Sequence, residues 1–174
     1  VIGYIKGVQD QGISACVKHY LANNQETLRN TIDVQMSERA LREIYLPGFK
    51  AAVIDAGVNT LMGSYNKFRG QWATQNNYLM NQILKKEWGF KGIVISDWGA
   101  VHNTAQAAWN GCDLEMGSDL RMLPNPEYNK FYFGDSLMLM VKNHQLPEYL
   151  IDEKIRRILY VMYKTNMIGA KRKT

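Results

Sequence analysis

The sequence predicts an α/β fold made of parallel β/α units, and three observations predict it. Short runs rich in valine and isoleucine recur, bounded by glycine, and such runs read as buried strands. A longer amphipathic stretch follows each run, the alternation expected of a parallel sheet covered by helices. The most apolar run, Ile93-Val94-Ile95, has no polar residue between its apolar ones, as a strand buried on both faces requires.

The first strand reads as Ile13-Ser14-Ala15-Cys16-Val17, ending before Lys18-His19. Ser37 can then cap a helix with Ala40, Leu41, Ile44 and Tyr45 on one face, interrupted by Pro47-Gly48. A second helical piece spans residues 49–56 and stops at Gly57, a C-cap residue. The next strand, Val58-Asn59-Thr60-Leu61-Met62, ends in Ser64-Tyr65-Asn66. Leu79, Met80, Ile83 and Leu84 mark a helix that stops near Gly89. The third strand, Gly92-Ile93-Val94-Ile95, runs into Ser96-Asp97-Trp98, and residues 101–109 then read as a helix closed by Gly111. Cys112-Asp113-Leu114-Glu115-Met116 is a fourth strand candidate. The last helix carries Ile151, Ile155, Ile158, Leu159 and Met162 on one face. Its other face holds Asp152, Glu153, Lys154, Arg156 and Arg157, the split of a helix lying on a core.

Composition narrows the function classes. With 46% hydrophobic and 21% charged residues, the chain is not of the disordered type. No stretch approaches the ~18 consecutive apolar residues of a membrane span. Val1-Ile2-Gly3-Tyr4 carries no signal-peptide pattern and the chain does not open with Met, so it reads as a piece of a longer protein. The net charge of +5 is spread along the chain, apart from Lys171-Arg172-Lys173, as on a solvated basic surface rather than a nucleic-acid face. Cys16 and Cys112 read as buried free thiols, with a single disulfide left open. No phosphate loop, H-E-x-x-H pair or Cys/His cluster is present, so the chemistries those motifs carry are not encoded. His102 and His144 stand alone on presumed helices.

The polar residues that stand out follow the strands: Lys18-His19, Tyr65-Asn66 and Asp97-Trp98. In a β/α barrel that is the C-terminal face, where active sites sit. A full barrel takes about 250 residues and eight strands, so this chain corresponds to about half of a TIM-like (β/α)8 barrel. Asp97 can be a nucleophile, a general base, a metal ligand or a cap for the following helix. Lys18 can form a Schiff base, or share with His19 the hydrogen bonding of a polyhydroxylated ligand, or be satisfied at the core edge. Adjacent strand residues point to opposite faces, so both reach one ligand only beyond the end of the strand. Trp98 offers a flat surface for a sugar ring or for packing.

These residues resemble the N-terminal catalytic domain of glycoside hydrolase family 3. The resemblance rests on Val17-Lys18-His19-Tyr20 with Asn24-Gln25-Glu26 and Arg29, then the run from Ser37 to Leu46. It continues through Met62-Gly63-Ser64-Tyr65-Asn66, Glu87-Trp88-Gly89-Phe90-Lys91-Gly92, Ser96-Asp97-Trp98 and Gly111-Cys112-Asp113-Leu114-Glu115-Met116, in order along nearly the whole chain. It implies a retaining enzyme that removes terminal β-D-glucosyl or β-D-xylosyl residues through a covalent glycosyl-enzyme intermediate on Asp97, without a cofactor. Lys18 and His19 would bind sugar hydroxyls in the −1 subsite, Met62 and Tyr65 would line it, and Trp98 would wall it. Asn24, Glu26 and Arg29 would hold the loop after Lys18-His19.

One family branch places a histidine proton donor in that loop, in a K-H-F-P-G-H-G pattern. Leu21-Ala22-Asn23-Asn24-Gln25-Glu26 has none, which favours the branch whose acid/base glutamate comes from a following α/β-sandwich domain. Residues 1–174 are then expected to be the C-terminal half of the barrel domain, without the upstream half or the sandwich, and inactive alone. Asp113, Glu115 and Glu26 are local carboxylates that nothing assigns to the acid. The expected partners are a β-linked oligosaccharide or glycoside and the rest of the same enzyme, with no nucleic acid and no membrane span. A periplasmic or secreted location is favoured if a signal peptide precedes Val1. The alternative is a non-catalytic carbohydrate-binding or interaction module of the same fold.

Overall fold

A computed structural model describes residues 1–117 and 127–169; the Lys171-Arg172-Lys173 cluster lies outside the described residues. The main sheet is parallel, in the order β1 (Cys16–Tyr20), β3 (Thr60–Gly63), β6 (Ile93–Ile95). An isolated parallel bridge from Ile95 to Leu114 extends it. This is the arrangement of consecutive strands in part of an α/β barrel. The fourth strand expected at residues 112–116 shrinks to that bridge. A second, small sheet, unexpected from the sequence, joins β2 (Asp33–Val34), β4 (Lys67–Phe68) and β5 (Gln71–Trp72).

β3 is the central strand, with Leu61 fully buried, and beside it Val94 of β6 is equally buried. The pair runs in unbroken register, Thr60 to Ile93, Leu61 to Val94 and Met62 to Ile95. The first strand sits three residues later than the sequence suggests. Ile13 is exposed, and Lys18 and His19 lie within β1 rather than after it. Tyr20, fully buried, anchors the strand from its far end: its hydroxyl donates to the Leu79 carbonyl (3.1 Å) and its ring meets Phe49 edge-on.

Helices cover this sheet. Ser37 caps α2 (Glu38–Ala40) as expected, its Oγ accepting from the Ala40 N–H at 3.2 Å. The chain then continues in a π-helical turn, Leu41–Tyr45, whose Leu46 N–H donates to the Leu41 carbonyl five residues back. That i→i+5 spacing brings Leu41 and Leu46 inward together and turns Ile44 outward, against the face read from a 3.6-residue period. Pro47 opens α3 (Pro47–Ile54) at its first turn, where its missing N–H costs nothing. A second π-helical segment, Tyr78–Glu87, buries Leu79, Met80, Ile83 and Leu84 as the pattern predicts. α4 (Thr104–Trp109) starts later than expected, capped by Asn103, whose side chain accepts from the Gln106 N–H at 2.9 Å. α1 (Ile2–Gln9) and α5 (Leu137–Lys142) were not evident in the sequence.

The last helix, α6 (Tyr149–Lys164), corrects the reading most. Its inward residues are Leu150, Lys154 and Val161, whereas Ile155 and Leu159 are 47% and 46% exposed. Lys154 can face inward because its ammonium donates to the carbonyls of Ala108 (2.9 Å) and Cys112 (2.6 Å), which offset its desolvation. Both cysteines are free thiols; Cys112 is buried, but Cys16 is exposed. Neither His102 nor His144 lies on a helix: His102 precedes α4 and stacks on Trp72 (3.8 Å between centroids), and His144 follows α5. Among the described residues no helix is long and apolar enough to cross a membrane.

Candidate active site

The C-terminal ends of β1, β3 and β6 carry the residues singled out in the sequence. Asp97 follows β6 and is buried; its Oδ1 accepts from the Trp98 N–H at 2.8 Å. Its Oδ2 lies 3.2 Å from His19 Nε2, so β1 and β6 meet at this carboxylate although β3 separates them in the sheet. Asp97 is therefore not the cap of the following helix, a position Asn103 takes. Trp98 is 44% exposed, so it is not a core residue.

Lys18 and His19 are adjacent in β1, yet both line one open cavity of about 500 Å³ with Leu21, Asn23, Tyr45 and Phe49. Simple alternation forbids this. The β1–β3 register, however, shifts between Val17 and Tyr20, and the alternation is interrupted where the two residues sit. The peptide bonds Lys18–His19 and Tyr20–Leu21 are cis. Met62 is half-buried at the end of β3, paired in register with Ile95, two residues before Asp97. Tyr65 lies under the Arg29 guanidinium, 4.6 Å from the ring centroid.

Arg29 bonds Glu26 at 2.5 Å, and Asn24 donates to the Tyr45 hydroxyl at 3.0 Å. Ser64 and Asn66, whose roles the sequence did not reveal, donate to the Leu21 carbonyl at 2.9 and 3.1 Å and thereby fix the chain just after Lys18-His19. Gly63 is required by close packing, since a Cβ there would come within 2.4 Å of Thr74 Oγ1.

Two further residues escaped sequence reasoning. Gln75 is buried, and its Oε1 accepts from the His102 and Asn103 N–H groups, tying the loop after Asp97 to the 3-10 turn that follows β5. Asp113 is paired with Lys85 at 2.7 Å. Asp113 stood in the sequence only as a carboxylate within the fourth strand candidate, and nothing there marked Gln75. Glu115 accepts from the Phe133 N–H at 2.6 Å, and burial raises its pKa above the usual carboxylate range. Burial likewise pushes the Cys112 thiol up to about 12, which leaves it a neutral packing group. Among the described residues no group of three or more His, Cys, Asp or Glu side chains is placed to share a metal ion.

Chemically, the arrangement is a carboxylate with little solvent around it, an imidazole against it, an ammonium in the adjoining cavity and an exposed indole. Such a set can attack an electrophilic carbon and hydrogen-bond hydroxyls nearby.

Residues 1–161 match the model of the glycosyl hydrolase family 3 N-terminal domain. The chain is 48% identical over 169 residues to the β-glucosidase BoGH3A of Bacteroides ovatus, covering 95% of this chain and 23% of that one. Among solved structures, it is similar to β-glucosidase 3B from Thermotoga neapolitana in complex with glucose, at 42% identity and a TM-score of 0.84. That likeness covers 94% of this chain and 22% of the other. The β-glucosidase DesR from Streptomyces venezuelae in complex with D-glucose is similar at 35% identity and a TM-score of 0.91, covering 99% of this chain and 22% of that one. The chain thus spans about a fifth of the length of these relatives.

Proposed function

This chain belongs to glycosyl hydrolase family 3, and from that premise we propose that residues 1–174 form the C-terminal half of the barrel domain of a longer, retaining β-glucosidase. The observation that carries this reading is the meeting of Asp97 with His19 at the C-terminal ends of parallel strands. In the reaction, an Asp97 carboxylate oxygen attacks the anomeric carbon while the glycosidic C–O bond breaks, and a second carboxyl group protonates the leaving oxygen. That group, now a carboxylate, takes a proton from water, and the resulting attack releases the sugar and restores Asp97. The second carboxyl is a glutamate of an α/β-sandwich domain outside this sequence, and the other half of the barrel completes the −1 subsite.

Lys18 and His19 hold hydroxyls of the −1 sugar. Met62 and Tyr65 line the subsite, with Arg29 steadying the Tyr65 ring, and Trp98 packs against the sugar from its exposed position. The fit of glucose rather than xylose is drawn from the names and bound sugars of the relatives. A 2-deoxy-2-fluoro-β-glucoside with a good leaving group tests this in the full-length protein, because it forms the glycosyl-enzyme but slows its hydrolysis. The expected result is a fluoroglucosyl mass on the peptide containing Asp97. Label on any other residue would overturn the assignment, and stoichiometric sugar binding without turnover or label would favour a binding module.

A further inference from the structure

We propose that Asp113, held by Lys85, is a positioning residue for Asp97, setting the register of the strand that carries it. This rests on the reading of Asp97 as the nucleophile. β6 is only three residues long and meets its outer neighbour through a single bridge, Ile95 to Leu114. What holds it on that side is Asp113, whose Oδ2 accepts from the Val94 N–H at 2.9 Å while its own N–H donates to the Val94 carbonyl at 2.9 Å. The stitching continues toward the site. Ser96 N–H donates to the Leu114 carbonyl at 2.9 Å, Met116 N–H to Ser96 Oγ at 2.9 Å, and Gly99 N–H to the Gly117 carbonyl at 2.6 Å. Residues 94–99, with Asp97 among them, are thereby fastened to residues 113–117.

The clamp is itself fixed by a buried ionic cluster. Lys85 donates to Asp113 Oδ1 and to the Gly111 carbonyl, both at 2.7 Å. Arg157 lies 3.8 Å from Asp113 Oδ1 and donates to the carbonyls of Phe90 and Gly92, which lead into β6. Lys154 holds the Ala108 and Cys112 carbonyls. Two outer helical elements, the Tyr78–Glu87 segment and α6, thus converge on one carboxylate that is almost wholly buried. A buried cluster of this kind is a poor source of stability, and its attested use is to specify register. Register matters here because a one-residue slip of a strand moves every side chain to the opposite face, and would turn Asp97 away from His19.

The test uses the full-length enzyme with an aryl β-glucoside, comparing wild type, Asp113→Asn, Lys85→Met, Lys85→Arg and the control Asp97→Asn. Displacement of a reacting group by an ångström can cost about 100-fold in rate. The expected result is therefore a kcat lower by up to about 100-fold in Asp113→Asn and Lys85→Met, with KM and competitive inhibition by glucose unchanged, and recovery of kcat in Lys85→Arg. Wild-type kcat in both variants overturns the proposal. So does a fall that matches the loss of folded protein by circular dichroism, which would mark a purely structural role. Should Asp113→Asn fail to fold, the Lys85 pair decides alone. An active Asp97→Asn would instead remove the nucleophile reading, and this proposal with it.

Discussion

The two strand pairs of the main sheet are built differently. β3 and β6 pair in continuous register, with Leu61 and Val94 fully buried, and the chain runs from β6 through Ser96 to Asp97. β1 pairs with β3 only as far as Val17, loses register, and regains it at Tyr20. The chemistry-bearing residues divide along the same line. The carboxylate stands two residues past the end of the regular pair. The ammonium and imidazole stand inside the irregular one, where two consecutive side chains reach one cavity. The regular pair leads to a single carboxylate, and the irregular one brings two adjacent polar side chains to one cavity.

If this contrast is sound, truncation should hurt the regular pair more. Val94→Ala, at the buried centre of β6, should lower stability by about 2 kcal/mol, as truncation of a fully buried side chain does. Val17→Ala, on the half-buried β1, should cost about 1 kcal/mol. Denaturant unfolding of the full-length protein, with amide exchange to localise the effect, checks both, and equal costs would break the comparison. Next comes a pH effect at the β6 side. Burial lowers the Lys85 pKa to about 8 despite the opposing pull of Asp113, with Arg157 and Lys154 adding repulsion. The unfolded chain, with an ordinary lysine near 10.5, then binds more protons than the folded one between these values. Stability should therefore rise with pH from about 8 to 10.5, and Lys85→Met should flatten that rise. The smallest effect lies away from both pairs, where Ser37→Ala removes the cap of α2 and should cost about 1 kcal/mol or less, read as a shift in denaturant midpoint.

What the sequence disclosed follows the same division. Ile93-Val94-Ile95 and the Leu79, Met80, Ile83, Leu84 stripe were legible because each prints an apolar period on the chain, the stripe even though its segment winds with π spacing. β1 was misplaced because its register break erases that period. The face of α6 was misread because apolar residues flank both sides and a lysine takes the inward position, its charge met by carbonyls from a distant segment. Asp97, Lys18 and His19 stood out by their place after apolar runs. Asp113 and Gln75 did not, since their partners lie far away in sequence and hydrogen bonds to backbone leave no pattern in the letters.

The most direct measurement is turnover of aryl β-glucoside and β-xyloside by the full-length protein, wild type against Asp97→Asn. The substitution keeps the side chain's shape and removes its negative charge. The account predicts that β-glucoside turnover falls by about four orders of magnitude or more, as when a nucleophile is removed from other covalent enzymes. Turnover by Asp97→Asn equal to wild type would contradict it.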